Sequence, residues 1–258
     1  MRLGFVGTGT LTEAIITGLV QARPDIDTLL VSPRNAETSA RLAAAYPAVR
    51  VAADNQAVLD GCDAVILAIR PQIAEEVIRP LVFRPDHHVI SVVATVQIET
   101  LADWIGGPVA GLCRAVPLPF VAALTGPTLI FPPDKVAVGL FGPLGTAIET
   151  DDIAPFDRLA TASALMGTYF GVLETAARWL EANGVAYEQG KAYLTGLYSG
   201  LAHAMQTSPA TTFEELRHEF STRGGLNEQV FRVFVAHGGK TALEDGLDAV
   251  LARSMKSS

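Results

Sequence analysis

Two glycine-bearing turns, one in each half of the chain, are spaced to hold anions. Gly7-Thr8-Gly9-Thr10 follows the apolar run Leu3, Phe5 and Val6 and leads into a helical pattern from Leu11 to Val20. A strand, a tight glycine turn and a helix opening out of that turn form the geometry that binds a dinucleotide. Gly7 permits the turn, Gly9 has no Cβ to keep a pyrophosphate from the backbone, and the free N–H groups of the new helix point at the anion. Thr12 stands where the usual fingerprint has its third glycine, which assigns close helix-to-strand packing to Ala14. The second turn, Ser221-Thr222-Arg223-Gly224-Gly225, enters a helical pattern from Leu226 to Ala236. It is either another anion cradle or a plain interhelical turn.

Between the two lies a third group of polar side chains. The apolar run Thr28 to Val31 ends at Ser32-Pro33-Arg34-Asn35. An NAD-selective site places Asp or Glu at this strand end, to accept hydrogen bonds from the ribose 2′-hydroxyl. A hydroxyl, a guanidinium and an amide stand there instead, and these suit a 2′-phosphate, which a carboxylate would repel. The same residues suit an ordinary surface turn. Their spacing from Gly7 favours the ribose, and NADP over NAD.

Other chemistries find little support. Cys62 and Cys113 form no CxxC pair, and His203, His218 and His237 lack ligand spacing, so no metal is assigned. His87-His88 sits before a strand, where both rings are expected in solvent. No Ser-His-Asp or paired-carboxylate constellation stands out in the second half.

The elements that position these residues follow from hydrophobic periodicity. Helical patterns at Thr38 to Tyr46, after Asp54-Asn55 and after Arg70-Pro71-Gln72 alternate with strand patterns at Val49 to Val51, Asp63 to Ile69, His88 to Ala94 and Val109 to Ala115. Such alternation implies an α/β, Rossmann-like, mostly parallel sheet over residues 1–151, covered on both faces. Ligands of such sheets bind at the carboxyl ends of strands, which groups Ser32, Ala68 to Pro71, Val93 to Thr95 and Arg114 to Pro117 beside one crevice. From about Asp152 strand signals vanish, and residues 152–258 read as an all-helical domain, its first helical pattern running to Asn183-Gly184. Ala160, Ser163, Ala164, Gly167 and Gly171 form a small-residue stripe suited to close helix packing, within one chain or between two.

The 258 residues are 49% hydrophobic and 18% charged, with a formal charge of −8. That balance gives no basic surface for nucleic acid. The apolar stretch Val109 to Leu124 is broken by Arg114, Pro117 and Pro119, so no membrane span is expected, and no signal peptide is read after Met1. A cytoplasmic protein is expected.

In this order of features the chain resembles the pyrroline-5-carboxylate reductase family over nearly its whole length. Gly7, Gly9, Leu11, Ala14, Gly18 and Leu19 are similar to the family's opening G-x-G-x-M-x-x-A-x-x-x-G-L, with Leu11 in place of Met. Ala68-Ile69-Arg70-Pro71-Gln72 is similar to its A-V-K-P-Q, Arg114-Ala115-Val116-Pro117 to its R-x-M-P-N, and Thr222-Arg223-Gly224-Gly225 to part of its S-P-G-G-T-T loop. The resemblance implies NAD(P)H-dependent reduction of a cyclic imino acid to proline. It also implies a helical domain that forms a homodimer, or a larger homo-oligomer, in which each active site is completed by the partner. It gives the cofactor Gly7, Thr8, Gly9, Thr10 and Leu11, with Ser32, Arg34 and Asn35 at the 2′-phosphate and Asn55 at the adenosine ribose. Ala68, Ile69, Arg70, Pro71 and Ala94 fall on the nicotinamide side. The substrate falls to Pro117, Met166, Arg223, Gly224, Gly225 and Leu226.

Departures cluster at the substrate. Leu226 and Asn227 replace the family's two threonines, Leu118 replaces its Asn, and Ala164 to Thr168 lacks its glycine-rich break. Gly224 and Gly225 amides are expected to bind the substrate carboxylate, with Asn227 as a donor near the imine nitrogen. The alternatives are reduction of another imine or of a keto or hydroxy acid, and a dinucleotide-binding sensor without catalysis.

Overall fold

The computed structural model describes residues 1–256. Its first half is an eight-stranded sheet in the order β3-β2-β1-β4-β5-β6-β7-β8. The strands are β1 (Arg2–Val6), β2 (Thr28–Val31), β3 (Val49–Val51), β4 (Ala64–Leu67), β5 (His88–Ser91), β6 (Gly111–Pro117), β7 (Gly126–Phe131) and β8 (Gly145–Glu149). The first six are parallel to their neighbours, β7 runs antiparallel to β6, and β8 parallel to β7. The strand order reverses between β1 and β4, so a crevice opens beyond their carboxyl ends.

The central strands are apolar throughout because both faces are covered. In β4, Ala64 and Ile66 pack with α1 (Thr10–Ala22) and α6 (Lys135–Phe141), while Val65 and Leu67 pack with α3 (Asn55–Gly61), α4 (Pro71–Ile78) and α5 (Ile98–Ile105). α2 (Ala36–Ala45) contributes Leu42 to the first of these cores. Asp54 and Asp134 cap α3 and α6 by accepting from the N–H groups of Ala57 and Ala137.

Several expectations are corrected by packing. β6 starts at Gly111 rather than Val109, and β7, α6 and β8 complete a sheet that periodicity leaves unfinished. At the turn, Thr12 is fully buried and its Oγ1 donates to the Gly7 carbonyl at 2.8 Å, while Ala14 packs against the core on the sheet. α1 also approaches a neighbour closely at Gly18, where an added Cβ would lie 2.3 Å from the Val121 carbonyl oxygen of the 3-10 turn Pro119–Ala123.

The two histidines expected in solvent are structural. His87 is fully buried, with Nδ1 accepting from the Arg84 N–H at 3.0 Å and Nε2 2.9 Å from the Leu59 carbonyl oxygen. The carbonyl fixes Nε2 as the protonated nitrogen, and burial holds the ring's pKa below its ordinary value. His88 Nε2 lies 2.7 Å from Asp134 Oδ2.

The chain divides into two compact units, Met1–Ala160 together with the last described residues from Arg253, and Thr161–Ala252. The helical stretch begins with α7 (Ile153–Ala162) and α8 (Leu165–Ala182), two helices where one continuous pattern was expected. Then come α9 (Tyr187–Thr207), α10 (Phe213–Glu219), α11 (Leu226–Ala236) and α12 (Gly239–Lys256). α8 packs on α9, and a capping box between Thr212 and Glu215 starts α10. α11 buries no residue, and Phe213, Leu226, Val230 and Tyr193 are among the most exposed large apolar side chains.

Gly18→Ala forces a methyl group into the Val121 carbonyl and is expected to destabilise the protein by about 1–3 kcal/mol, read as a lowered midpoint in urea denaturation.

Candidate active site

The crevice beyond β1 and β4 is a cavity of about 390 Å³. Gly7, Thr8 and Gly9 form its floor, and Ser32, Arg34, Asn35 and Ala36 stand at the end of β2. Asn55 comes from the start of α3, and Ala68, Ile69 and Arg70 follow β4. Ile73 and Val77 of α4 close one wall. The lining contains two arginines and no Asp or Glu.

The turn is held by buried hydroxyls. Gly7 has φ +103°, a conformation that disfavours side chains, and a Cβ there would lie 2.2 Å from the Ala68 carbonyl oxygen. Its N–H donates to Ser32 Oγ at 2.9 Å. Thr8 Oγ1 donates to the Ser32 carbonyl at 2.8 Å and lies 3.1 Å from Ser32 Oγ. Gly9 caps α1 with no side-chain partner for the helix amides. The first intrahelical bond runs from the Glu13 N–H to the Gly9 carbonyl, so the amides of the first turn are free to receive an anion. A Cβ on Gly9 would meet no protein atom within 4 Å, so the approach is open. Glu13, the acid of that first turn, is tied to Arg41, whose hydrogen bond holds its carboxyl below the ordinary range.

These features fit a dinucleotide pyrophosphate at Gly9 and a ribose phosphate beside Arg34 and Asn35. Ser32 is the exception among the residues expected at the 2′-phosphate. Its side chain is fully buried and braces the turn, whereas Arg34 and Asn35 are exposed. The Asn35 Oδ1 also accepts from the Thr38 N–H at 3.4 Å, which orients it at the start of α2. Thr10, Leu11, Pro71 and Ala94 lie outside the cavity lining, although Thr10 and Leu11 carry first-turn amides. Ile73 and Val77 were missed because, at helical spacing, they read simply as core.

Of the residues expected at the substrate, Pro117 is buried at the end of β6 and Met166 is half-buried in α8. Arg223 is exposed. The Gly224-Gly225 turn is closed on itself. The Gly225 N–H donates to the Thr222 carbonyl at 2.8 Å, and the Gly224 N–H donates to the Glu228 carboxylate. Both amides expected to bind a carboxylate therefore have internal partners, one of them a carboxylate already. Asn227 does not cap its helix, because Gly225 holds the cap position; its Nδ2 donates to the Phe220 carbonyl at 2.6 Å. Leu226 is 81% exposed.

Elsewhere on the sheet, Arg114 of β6 is buried. Its Nη1 donates to Gln97 Oε1 at 3.0 Å, its guanidinium lies 4.8 Å over the Phe156 ring, and Asp157 is 3.9 Å away. It therefore ties the start of α7 to the sheet and is not free to contact a ligand. Cys62 and Cys113 are buried, and desolvation pushes the Cys62 thiol up to about 11, so neither is a nucleophile.

Residues 2–95 match the family described as NADP oxidoreductase, coenzyme F420-dependent, and residues 158–257 match the pyrroline-5-carboxylate reductase dimerisation family. The pyrroline-5-carboxylate reductase of Pseudomonas aeruginosa is 25% identical, over 98% of this chain and 95% of its own. The solved 1-pyrroline-5-carboxylate reductase of Streptococcus pyogenes superposes with a TM-score of 0.85 at 22% identity, covering 98% of each chain. The Plasmodium falciparum pyrroline carboxylate reductase, solved with NADP bound, superposes with a TM-score of 0.83 at 17% identity, covering all of this chain and 98% of its own.

Ser32→Ala leaves the part-buried Gly7 N–H without its acceptor. The expected result is a loss of about 1–3 kcal/mol in stability and an equal weakening of NADPH and NADH, measured by denaturation and by fluorescence titration.

Proposed function

The chain belongs to the pyrroline-5-carboxylate reductase family, and on that footing we propose that it uses NADPH to reduce pyrroline-5-carboxylate to proline. The observation that carries this reading is the acid-free crevice, in which Arg34 and Asn35 stand beside an uncapped helix N-terminus and an open Gly9. A carboxylate at the end of β2 would select NAD; a guanidinium there selects the 2′-phosphate of NADP.

With the cofactor held by Gly9, Arg34 and Asn35, its nicotinamide would supply hydride to the C=N carbon of the substrate. The protein's share is placement. The amides at the start of α1 hold the pyrophosphate, and the hydroxyls of Ser32, Thr8 and Thr12 keep the turn rigid beneath it. Protonation of the imine makes its carbon electrophilic, so little acid–base machinery is required. At the substrate end, Arg223, Gly224, Gly225, Leu226 and Asn227 remain the residues assigned by family resemblance. A substrate carboxylate would have to displace Glu228 from the Gly224 amide, and this favours a second reading, reduction of a cyclic imine that lacks the carboxylate.

The unburied apolar side chains of α8, α9 and α11 support self-association of the helical unit as a homodimer.

Loss of NADPH absorbance on adding pyrroline-5-carboxylate tests the reaction. Turnover only with 1-pyrroline would select the second reading, and tight NADPH binding with no turnover on any imine would identify a sensor. Arg34→Ala is expected to weaken NADPH about tenfold or more while leaving NADH within about twofold, a loss typical of one charged hydrogen bond; equal losses in fluorescence titration would remove Arg34 from the 2′-phosphate.

A further inference from the structure

Arg70 does not behave as a residue of the nicotinamide side. It lines the same cavity as Arg34, Asn35 and Asn55, which come from the ends of β2 and β3, whereas Ala94 and Pro117, at the ends of β5 and β6, do not line it. The cavity is therefore the adenosine half of the crevice. Arg70 is exposed, occupies the N-cap position of α4 and makes no capping bond with its side chain. Among the described residues, no hydrogen bond or ion pair joins its guanidinium or that of Arg34 to a protein group. Two unpaired cations in one acid-free cavity repel each other, and a group carrying nearly two negative charges relieves that repulsion. The pyrophosphate has its own donors at the start of α1, which leaves the phosphomonoester on the ribose.

We propose that Arg70 is a second ligand of the adenosine 2′-phosphate, clamping it opposite Arg34, with the apolar Ile73 and Val77 forming the wall against which the adenine lies. Residues 70, 73 and 77 are spaced three and four apart, so they share one side of α4, and all three line the cavity. The inference rests on the NADPH reading and moves Arg70 from one end of the cofactor to the other.

The test uses nucleotides that lack nicotinamide. Adenosine 2′,5′-bisphosphate and ADP are titrated calorimetrically into the full chain and into Arg70→Ala, with circular dichroism confirming that the variant is folded. Arg70→Ala is expected to weaken the bisphosphate about tenfold or more and ADP less than twofold. Equal losses for the two nucleotides would place Arg70 on the 5′-phosphates, and no loss for either would place it outside the adenosine half. Each of these overturns the proposal while leaving the NADPH reading intact. A wild-type chain that binds the bisphosphate no more tightly than ADP would overturn that reading and the clamp with it.

Discussion

Three buried hydroxyls at one glycine turn hold the crevice together. Ser32 accepts from the Gly7 amide, Thr8 donates to the carbonyl of Ser32, and Thr12 donates back to the carbonyl of Gly7. The bond from Thr8 is buried and the other two are part-buried, so a missing partner is costly. Together they couple the end of β1, the end of β2 and the first turn of α1, the three pieces that must agree for helix amides to converge on one anion. The contact of Gly7 with Ala68 adds β4 to the same unit. A dinucleotide would meet a surface already in its final shape.

The sequence made this half legible because its signals are local. Gly7, Gly9 and the apolar run before them define a strand, a turn and a helix within about twenty residues, and the absence of an acid after Val31 needs no tertiary information. The roles inside the motif were less visible. Ser32 lines the cavity and also braces the turn, and the brace is visible only in its burial and its bonds to Gly7 and Thr8. His87 and His88 failed in the same way: their partners, Leu59 and Asp134, are distant in sequence. β7 opens on Gly126-Pro127 and β8 on Gly145, residues that read as turns, so the pairing of β7 with β6 and of β8 with β7 is set by the sheet rather than by periodicity.

The second glycine turn shows the opposite balance. Its Gly-Gly pair before a helix signals an anion cradle, but Glu228 stands at the third position of α11, within reach of the Gly224 amide. That is a short-range relation, present in the sequence, that motif matching alone passes over. Leu226 and Asn227 stand where the resemblance expects two threonines, so this turn departs from the expected pattern at the first two positions of α11.

The exposed apolar side chains of the helical unit bear on how the protein lives in solution. A bundle that buries so few of its own side chains gains little from folding alone, while conformational entropy opposes it at full strength. In the homodimer proposed above, a second copy of the chain would supply the missing burial by mass action, and the melting temperature would then rise with protein concentration. The sheet, by contrast, buries a core on each of its faces. On that proposal, one polypeptide joins a half that completes its own packing to a half whose packing is completed by a second copy.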